Sequence, residues 1–193
     1  MRFFHLIRSN VDVLPLLAEV QAQEGIWARN TSRQDKVQVQ RDTNTIFLRS
    51  PVRRPDLPIN ENQESCLTHT STLFPRAVAL MTSLADETGS QLSRATIVRL
   101  KPQSQVSRHT DAGSYYLIRN RYHLVLYSSA GSVLMSGGEQ VRMQAGELWW
   151  FDNKQYHEAF NESEEWRIHY IFDLLPKAHQ HLALNPLLPL SES

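Results

Sequence analysis

The sequence predicts a mainly β fold in which helices are confined to the N-terminal part of the chain. After residue 94, short runs of branched and aromatic residues alternate with turn signals such as Gly137-Gly138. Before that point, two stretches carry apolar residues at helical spacing. Because the helices precede the strands and do not alternate with them, a parallel α/β sheet is not expected. The regular spacing of the strands favours a sandwich or a barrel.

The N-terminal part is predicted to contain two strands, two helices and a loop. Asn10 is the expected N-cap of the first helix, whose Pro15 suits a first turn. Gly89 is expected to end the second helix. The predicted ranges are a strand at 2–7, a helix at 11–22, a strand at 45–49, a proline-rich loop at 51–65 and a helix at 74–87.

The last long strand has two unlike faces. Alternation places Arg167, His169 and Ile171 on one face, and an apolar set on the other. The apolar face must be covered, and we expect the two N-terminal helices to cover it. A buried charge on the opposite face is costly unless it is paired, so it indicates a site. The predicted strands are 95–100, 121–127, 132–136, 140–143, 147–152, 156–160 and 166–174, and the apolar set is Ile168, Tyr170 and Phe172.

Composition limits the class of protein. The 193 residues are 41% hydrophobic and 21% charged, with zero formal net charge. They predict one globular domain (1–193) with an N-terminal capping part (1–93), a β core (94–175) and a tail (176–193). The charge balance argues against a nucleic-acid partner. A single cysteine, Cys66, excludes a disulfide framework, and no apolar run is long enough for a membrane span, so a cytoplasmic location is expected.

The main chemical signal is His109-x-Asp111 followed by His157. Residues two apart on a strand point the same way, so the first pair is expected to hold one ion together. Two histidines and one carboxylate are a common ligand set for iron(II) in oxygenases, and they leave positions open. Arg167, together with Arg121 and His123, supplies cationic groups nearby. They predict an anionic ligand, such as a dicarboxylic acid that also chelates iron.

Residues 94–174 resemble the aspartyl/asparaginyl β-hydroxylase family of iron(II)/2-oxoglutarate oxygenases. The resemblance implies a double-stranded β-helix, the jelly roll of cupins, with iron(II), 2-oxoglutarate and molecular oxygen as cofactor and cosubstrates. The motifs that carry it are HTD at 109–111, RYHLVL at 121–126, AGELWWFDN at 145–153, His157 and RIHYIFD at 167–173.

The resemblance also implies roles for single residues. His109 and His157 match the histidine ligands, and Asp111 matches the carboxylate ligand of those members that have one. The animal enzymes lack that carboxylate, so the chain is more similar to small bacterial members, which include cis-4-proline hydroxylase. Arg167 matches the arginine that pairs with the far carboxylate of 2-oxoglutarate. The remaining two cofactor-binding residues, Arg121 and His123, match groups near the chelating end.

One position departs from the animal enzymes. They use a serine on an early core strand to help hold the far carboxylate, and Val98 stands at about that place. A valine cannot donate a hydrogen bond. The resemblance therefore leaves Thr96, Tyr170 or water as the expected replacement.

The implied activity is hydroxylation of an unactivated C–H bond in a free amino acid or similar small carboxylate, with release of succinate and carbon dioxide. Three alternatives remain open at this point. The first is hydroxylation of an Asp, Asn or other residue in a peptide or protein. The second is a cupin-like metal-binding module without activity, and the third is a zinc hydrolase with the same three ligands. The sequence does not determine the oligomeric state.

Recognition of the substrate is expected in loops outside the core. The polar stretch 24–43 and the loop 51–65 have no covering role, and loops on a rigid scaffold commonly carry recognition. Together with residues 112–121, which follow the candidate ligands His109 and Asp111, these loops are expected to hold the carboxylate of the substrate. Their candidate residues are Trp27, Arg29, Arg33, Arg41, Arg53 and Arg54.

Overall fold

The computed structural model describes residues 1–28, 38–52, 58–130 and 132–183. Within them, eleven strands form two antiparallel sheets. The strands are β1 (Phe4–Arg8), β2 (Thr43–Pro51), β3 (Ser65–Leu67), β4 (Gln91–Leu100), β5 (Ser104–His109), β6 (Asn120–Tyr127), β7 (Ser132–Ser136), β8 (Glu139–Val141), β9 (Leu148–Phe151), β10 (His157–Asn161) and β11 (Arg167–Leu175).

The larger sheet has the strand order β1-β9-β6-β11-β4-β2-β3, and the smaller has the order β5-β10-β7-β8. The eight strands from β4 to β11 cross between the sheets so that four lie in each. This arrangement is a double-stranded β-helix, and it confirms the predicted jelly roll. β1, β2 and β3 extend the larger sheet at its two ends.

The helices are α1 (Leu14–Ala22), α2 (Pro75–Thr88) and the short α3 (Ser114–Leu117). The prediction that α1 begins beside Asn10 is wrong: Asn10 has a left-handed φ of 58°. The side chain of Asp12 accepts a hydrogen bond from the backbone N–H of Leu14 at 3.2 Å, so the helix begins three residues later. Gly89 ends α2 with a φ of 59°, as predicted.

The main core lies between the helices and the outer face of the larger sheet. Tyr170 and Phe172 are buried there, and the Tyr170 hydroxyl donates to the carbonyl of Ala77 on α2 at 3.0 Å. The expected cover of the apolar face of the last strand is thus confirmed. The core includes Leu16, Val20, Ile46, Leu48, Met81, Leu84, Ile97, Leu124 and Leu126.

A second core fills part of the space between the two sheets. It is built from Phe4, Leu100, Val125, Leu134, Val141, Met143, Phe151 and Ala159. It occupies only part of that space, because the same inner faces also carry the buried polar residues described below.

Two strands were not predicted from the sequence. β3 lies within and just beyond the predicted loop 51–65, and β5 has the polar sequence SQVSRH. Both are edge strands of their sheets, so neither needs the apolar alternation by which a half-buried strand is recognised. β5 matters for function because it ends at His109.

Some sequence predictions fall outside the described residues. Arg29, Arg33, Arg53 and Arg54 belong to this group, as do the last ten residues of the predicted tail. The earlier part of the tail forms a 3₁₀ turn at Lys177–Leu182. Of the helices seen in the described ranges, none is both long and apolar enough to cross a membrane.

The packing of α2 against the sheet predicts a stability difference. Replacing Met81, which is 1% exposed, with Ala should lower the free energy of unfolding by about 2–5 kcal/mol, because it leaves a cavity. The matched control Leu14→Ala, at a side chain 72% exposed, should change it by less than about 0.5 kcal/mol. Urea unfolding followed by circular dichroism measures both, and equal losses would contradict the described core.

Candidate metal centre and active site

The structure brings His109, Asp111 and His157 together at one end of the space between the sheets. One ligand atom from each lies within 4.8 Å of the others. His109 ends β5 and His157 begins β10, and the two are direct partners in the antiparallel ladder, with ring centroids 4.2 Å apart. Strand pairing alone therefore brings together two residues 48 positions apart in the sequence.

Asp111 reaches the site differently from the prediction. The expectation that it shares a strand with His109 is wrong, because β5 ends at His109. The backbone N–H of Asp111 donates to the carbonyl of Asn153 at 3.1 Å, which anchors the loop across the barrel end. Its carboxylate still turns inward, with Oδ2 3.9 Å from Nε2 of His157.

Both histidines are oriented through their Nδ1 atoms. Nδ1 of His109 lies 2.7 Å from the carbonyl of Ser107, and Nδ1 of His157 lies 2.9 Å from that of Gln155. A carbonyl only accepts, so Nδ1 carries the proton and Nε2 keeps its lone pair for a metal. Burial lowers the pKa of His157 to about 4, so it is neutral near pH 7, as a metal ligand must be.

Asp111 is held by its neighbours. Its Oδ2 accepts from Nη1 of Arg121 at 2.5 Å and from Nδ2 of Asn153 at 2.9 Å. Burial by itself would raise the pKa of Asp111, but the charge of Arg121, helped by the hydrogen bond from Asn153, outweighs it and the pKa is lowered. The carboxylate is therefore ionised and directed, which suits a metal ligand.

Arg121 lies between two carboxylates. Besides Asp111, it donates to Asp173 through Nε at 2.8 Å and through Nη2 at 3.0 Å. The hydroxyl of Tyr115 also lies 3.1 Å from Asp173. Sequence reasoning assigned no role to Asp173, although the alternation that puts Arg167 and Ile171 on the inner face extends to it.

An inner cavity of about 100 Å³ opens between the sheets beside the histidines. Arg167 lines it and is 7% exposed. No described carboxylate lies within 4.0 Å of its guanidinium, which instead contacts the ring of His169, with Nε 3.0 Å from Nε2. Burial lowers the pKa of Arg167 to about 10, so it remains a cation near pH 7.

Of the three side chains predicted to form a cationic cluster, only one keeps an uncompensated positive charge. Arg121 is compensated by Asp111 and Asp173. His123 is 6% exposed, and burial together with the nearby arginines lowers its pKa well below the usual range, so it is neutral. His123 also lines the inner cavity, and its Nδ1 lies 3.2 Å from Nδ1 of His169. Arg167 is left as the uncompensated charge.

Among the described residues, few hydroxyl groups lie near Val98, which stands at about the place where the animal enzymes have a serine. Tyr170 is excluded, because its hydroxyl is bonded to Ala77 on the helix side of the sheet. Val98 and Thr96 both line the inner cavity. Thr45 is the cross-strand neighbour of Val98, and its buried Oγ1 has no hydrogen-bond partner among the described residues. The position of Thr45 beside Val98 follows from the register of β2 on β4.

A larger outer cavity of about 630 Å³ adjoins the inner one. The two share His109 and Arg121 in their walls, so the His-Asp-His cluster lies at their junction. Trp27 is not part of either wall: it is 2% exposed in the helix-side core, which contradicts its expected role in recognition. The Arg41 side chain is 71% exposed and lines neither cavity.

Three ligands on one side of an ion leave positions open on the other. Here the His-Asp-His cluster adjoins both cavities, and the inner one is also lined by the buried cation Arg167. The arrangement suits a small chelating anion in the inner cavity and a second molecule in the outer one.

Comparison with known proteins agrees with this geometry. The sequence model described as aspartyl/asparaginyl beta-hydroxylase matches residues 27–176. Among proteins with curated functions, none matches the chain in sequence.

Solved structures share the fold at low sequence identity. A prolyl hydroxylase from Trichoplax adhaerens, in complex with a hypoxia inducible factor peptide fragment, is 13% identical with a TM-score of 0.61, over 94% of this chain and 87% of the other. An oxidoreductase of the 2OG-Fe(II) oxygenase family from Burkholderia pseudomallei is 14% identical with a TM-score of 0.60, over 90% and 86%. A viral collagen prolyl hydroxylase from Paramecium Bursaria Chlorella virus-1, in its 2OG complex, is 8% identical with a TM-score of 0.57, over 89% and 94%.

The family match covers most of the chain and includes every residue of the site, and the fold is that of the structural neighbours. The chain belongs to the aspartyl/asparaginyl β-hydroxylase family, and it is an oxygenase.

Proposed function

We propose that this oxygenase uses iron(II), 2-oxoglutarate and molecular oxygen to hydroxylate a C–H bond of a free amino acid or a similar small carboxylate. The observation that carries the proposal is Arg167, a buried cation without a described counter-ion, in a small cavity beside a His-Asp-His cluster. An unpaired buried charge is costly, so a site that keeps one is built for an anion.

The residues present fit the metal. His109 and His157 offer Nε2 atoms whose protonation is set by backbone carbonyls, and Asp111 is ionised. Nitrogen and carboxylate ligands in this ratio suit iron(II) in oxygenases. The hydrogen bonds from Arg121 and Asn153 fix the carboxylate before the metal arrives, which lowers the ordering cost of binding.

The inner cavity fits 2-oxoglutarate. Its volume of about 100 Å³ suits a small dicarboxylate, and its two ends are chemically different: Arg167 at one end, the metal ligands at the other. The planar guanidinium binds a carboxylate through two parallel hydrogen bonds. Thr96, which lines the cavity, is the candidate hydroxyl donor in place of the family serine. Arg121 is bonded to Asp111 at the chelating end, and His123 lies between Arg121 and Arg167.

Iron(II) with 2-oxoglutarate and oxygen supplies the oxidising power that a C–H bond requires, while the protein supplies position and a dry pocket. Arg167 would orient the dicarboxylate, and His109, Asp111 and His157 would hold the iron beside the cavity. The apolar residues Val98, Leu134 and Ile171 exclude water from the inner cavity.

A residue in a peptide is the second candidate substrate. The Trichoplax neighbour is solved with a peptide fragment, and the outer cavity of about 630 Å³ is larger than one amino acid needs. The small-carboxylate proposal rests on the resemblance to small bacterial members and on the cationic groups of the outer cavity.

The metal ligands give the first functional prediction. His109→Ala, His157→Ala and Asp111→Ala should each abolish stoichiometric iron(II) binding and succinate formation while the circular dichroism spectrum stays unchanged. The control His69→Ala, at an exposed histidine, should keep both. Iron content after gel filtration and succinate release are measured together. Near-normal activity of Asp111→Ala would show that the site uses two histidines only.

The second functional prediction concerns Arg167. Arg167→Met should raise the KM for 2-oxoglutarate about tenfold or more, because losing a buried ion pair costs about 2–5 kcal/mol. Without 2-oxoglutarate, the variant should unfold at the same or a higher temperature than the native protein, since an unpaired buried charge is removed. Arg142→Met, at an exposed arginine, is the control. An unchanged KM would place the clamp elsewhere.

The reaction itself is tested by a screen. The protein with iron(II), 2-oxoglutarate and oxygen is incubated with free L-amino acids, small carboxylic acids, and peptides containing Asp, Asn or Pro, and mass spectrometry detects the gain of one oxygen atom. We expect a free carboxylate to be hydroxylated with matching succinate release. Oxidation of peptides alone would favour the second candidate. Turnover without oxygen would indicate hydrolysis, and metal binding without succinate would indicate a binding module.

A further inference from the structure

Two arginines in the outer cavity have no role in the chemistry described above. Arg49 projects from β2 and Arg94 from β4, and both line the cavity wall together with His109 and Asp111. Sequence reasoning placed the recognition arginines in the N-terminal loops and not on these strands. Strand positions hold a side chain more precisely than loops do.

The acidic groups around these arginines are engaged elsewhere. The carboxylates that line the outer cavity are Asp111 and Asp173, and both are bound to Arg121. Glu64, whose charge also acts on Arg49, is 3.7 Å from Arg119. Among the described residues, no carboxylate lies within 4.0 Å of Arg49 or Arg94.

Each guanidinium is fixed by groups that leave its charge uncompensated. Arg49 donates through Nε to the carbonyl of Ser93 at 2.9 Å and through Nη2 to that of Ser65 at 2.5 Å. Burial lowers its pKa, as expected for a cation without an ion-pair partner.

Arg94 is held in a similar way. Its guanidinium carbon lies 3.7 Å from the centroid of the Tyr115 ring, and Nη2 donates to the carbonyl of Ile59. Its Nη1 makes no hydrogen bond in the described part of the chain and, unlike the enclosed Nε, is open to the cavity. An orphaned donor on a positioned cation is what a recognition arginine shows before its anion binds.

The rest of the outer cavity wall includes apolar side chains and an amide, which the remainder of a ligand must fit. Phe47, Tyr116 and Ile171 give it an apolar side, and Asn60 adds an amide. A molecule that fills it would place a carboxylate on the arginines and a carbon skeleton toward the metal ligands.

We propose that Arg94, with Arg49 beside it, binds the carboxylate of the substrate in the outer cavity. This inference rests on the proposed function and narrows it: the pair selects a free amino acid or other small carboxylate over an internal residue of a peptide, whose carboxyl group is an amide. Arg94 supplies the unfilled donor, and Arg49 adds a second positive charge on the same wall.

The experiment compares acids with their amides. Native protein loaded with zinc(II) and 2-oxoglutarate, which cannot turn over, is titrated calorimetrically with free L-α-amino acids, each beside its primary amide. At least one acid should bind at least tenfold more tightly than its amide. Arg94→Met and Arg49→Met should each reduce that preference, and the double variant should remove it. Arg94→Lys keeps the charge but loses the planar fork, so it should retain part of the preference.

The control is Arg76→Met, at an arginine on α2 whose side chain is 62% exposed. It should keep the acid preference. All variants should keep the native affinity for 2-oxoglutarate and the slow succinate formation that occurs without substrate, which separates this inference from the proposed function. If native protein neither binds 2-oxoglutarate nor forms succinate in the absence of substrate, the proposed function is wrong.

Three results would overturn the inference. They are native protein that binds acids and amides equally, a full acid preference in the double variant, and no binding of any acid in the panel. Preferential binding of a peptide amide that contains an internal aspartate would assign the cavity to a side-chain carboxylate of a peptide instead. Thermal unfolding of each variant excludes loss of folding as the cause.

Discussion

The antiparallel pairing of β5 with β10 is the constraint on which the site depends. It sets His109 directly opposite His157, so two ligands share one end of the barrel through backbone hydrogen bonds alone. Both side chains then meet carbonyls at Nδ1, and both Nε2 atoms remain available. The third ligand comes from the loop that leaves β5, which Asn153 ties to the other side of the barrel.

Charge is distributed unequally in the space between the sheets. At the metal end, Arg121 is balanced by Asp111 and Asp173, so that network is complete without a ligand. Deeper in, His123 and His169 are held neutral by burial and by the neighbouring Arg167. Arg167 alone is left charged there without a described partner. A fold that keeps one such cation in a small cavity gives up stability, and we propose that the gain is affinity for the dicarboxylate.

The two cavities differ in size and in the elements that border them. The inner one is small and lies between the two sheets. The outer one is larger and bordered by Asn60, Ile59 and Ala112, which come from loops, and by Arg49 and Arg94, which come from strands. Gly113 has a φ of 117°, and a Cβ there would lie 2.3 Å from the carbonyl of Asn60, so the two loops meet closely at the rim. Different loops on the same barrel could therefore accept different substrates without altering the metal ligands.

The sequence by itself determined the fold class, the helix-covered face of the last strand and the residue types of the metal site. Those features follow from local patterns: alternation in β11, helical spacing in α2, and the motifs around His109 and His157. The strand ranges of the core were also close to those observed.

Other features required the tertiary structure, because they depend on which strands lie side by side. The polar edge strand β5 has no apolar alternation to predict it, and its ladder partner is 48 residues away at His157. Compensation of Arg121 by Asp173 and the positions of Thr45, Arg49 and Arg94 follow from sheet register. Burial of Trp27 follows from the packing of its 3₁₀ turn in the helix-side core. A side chain's charge is read from the sequence, but whether that charge is balanced depends on its neighbours in space.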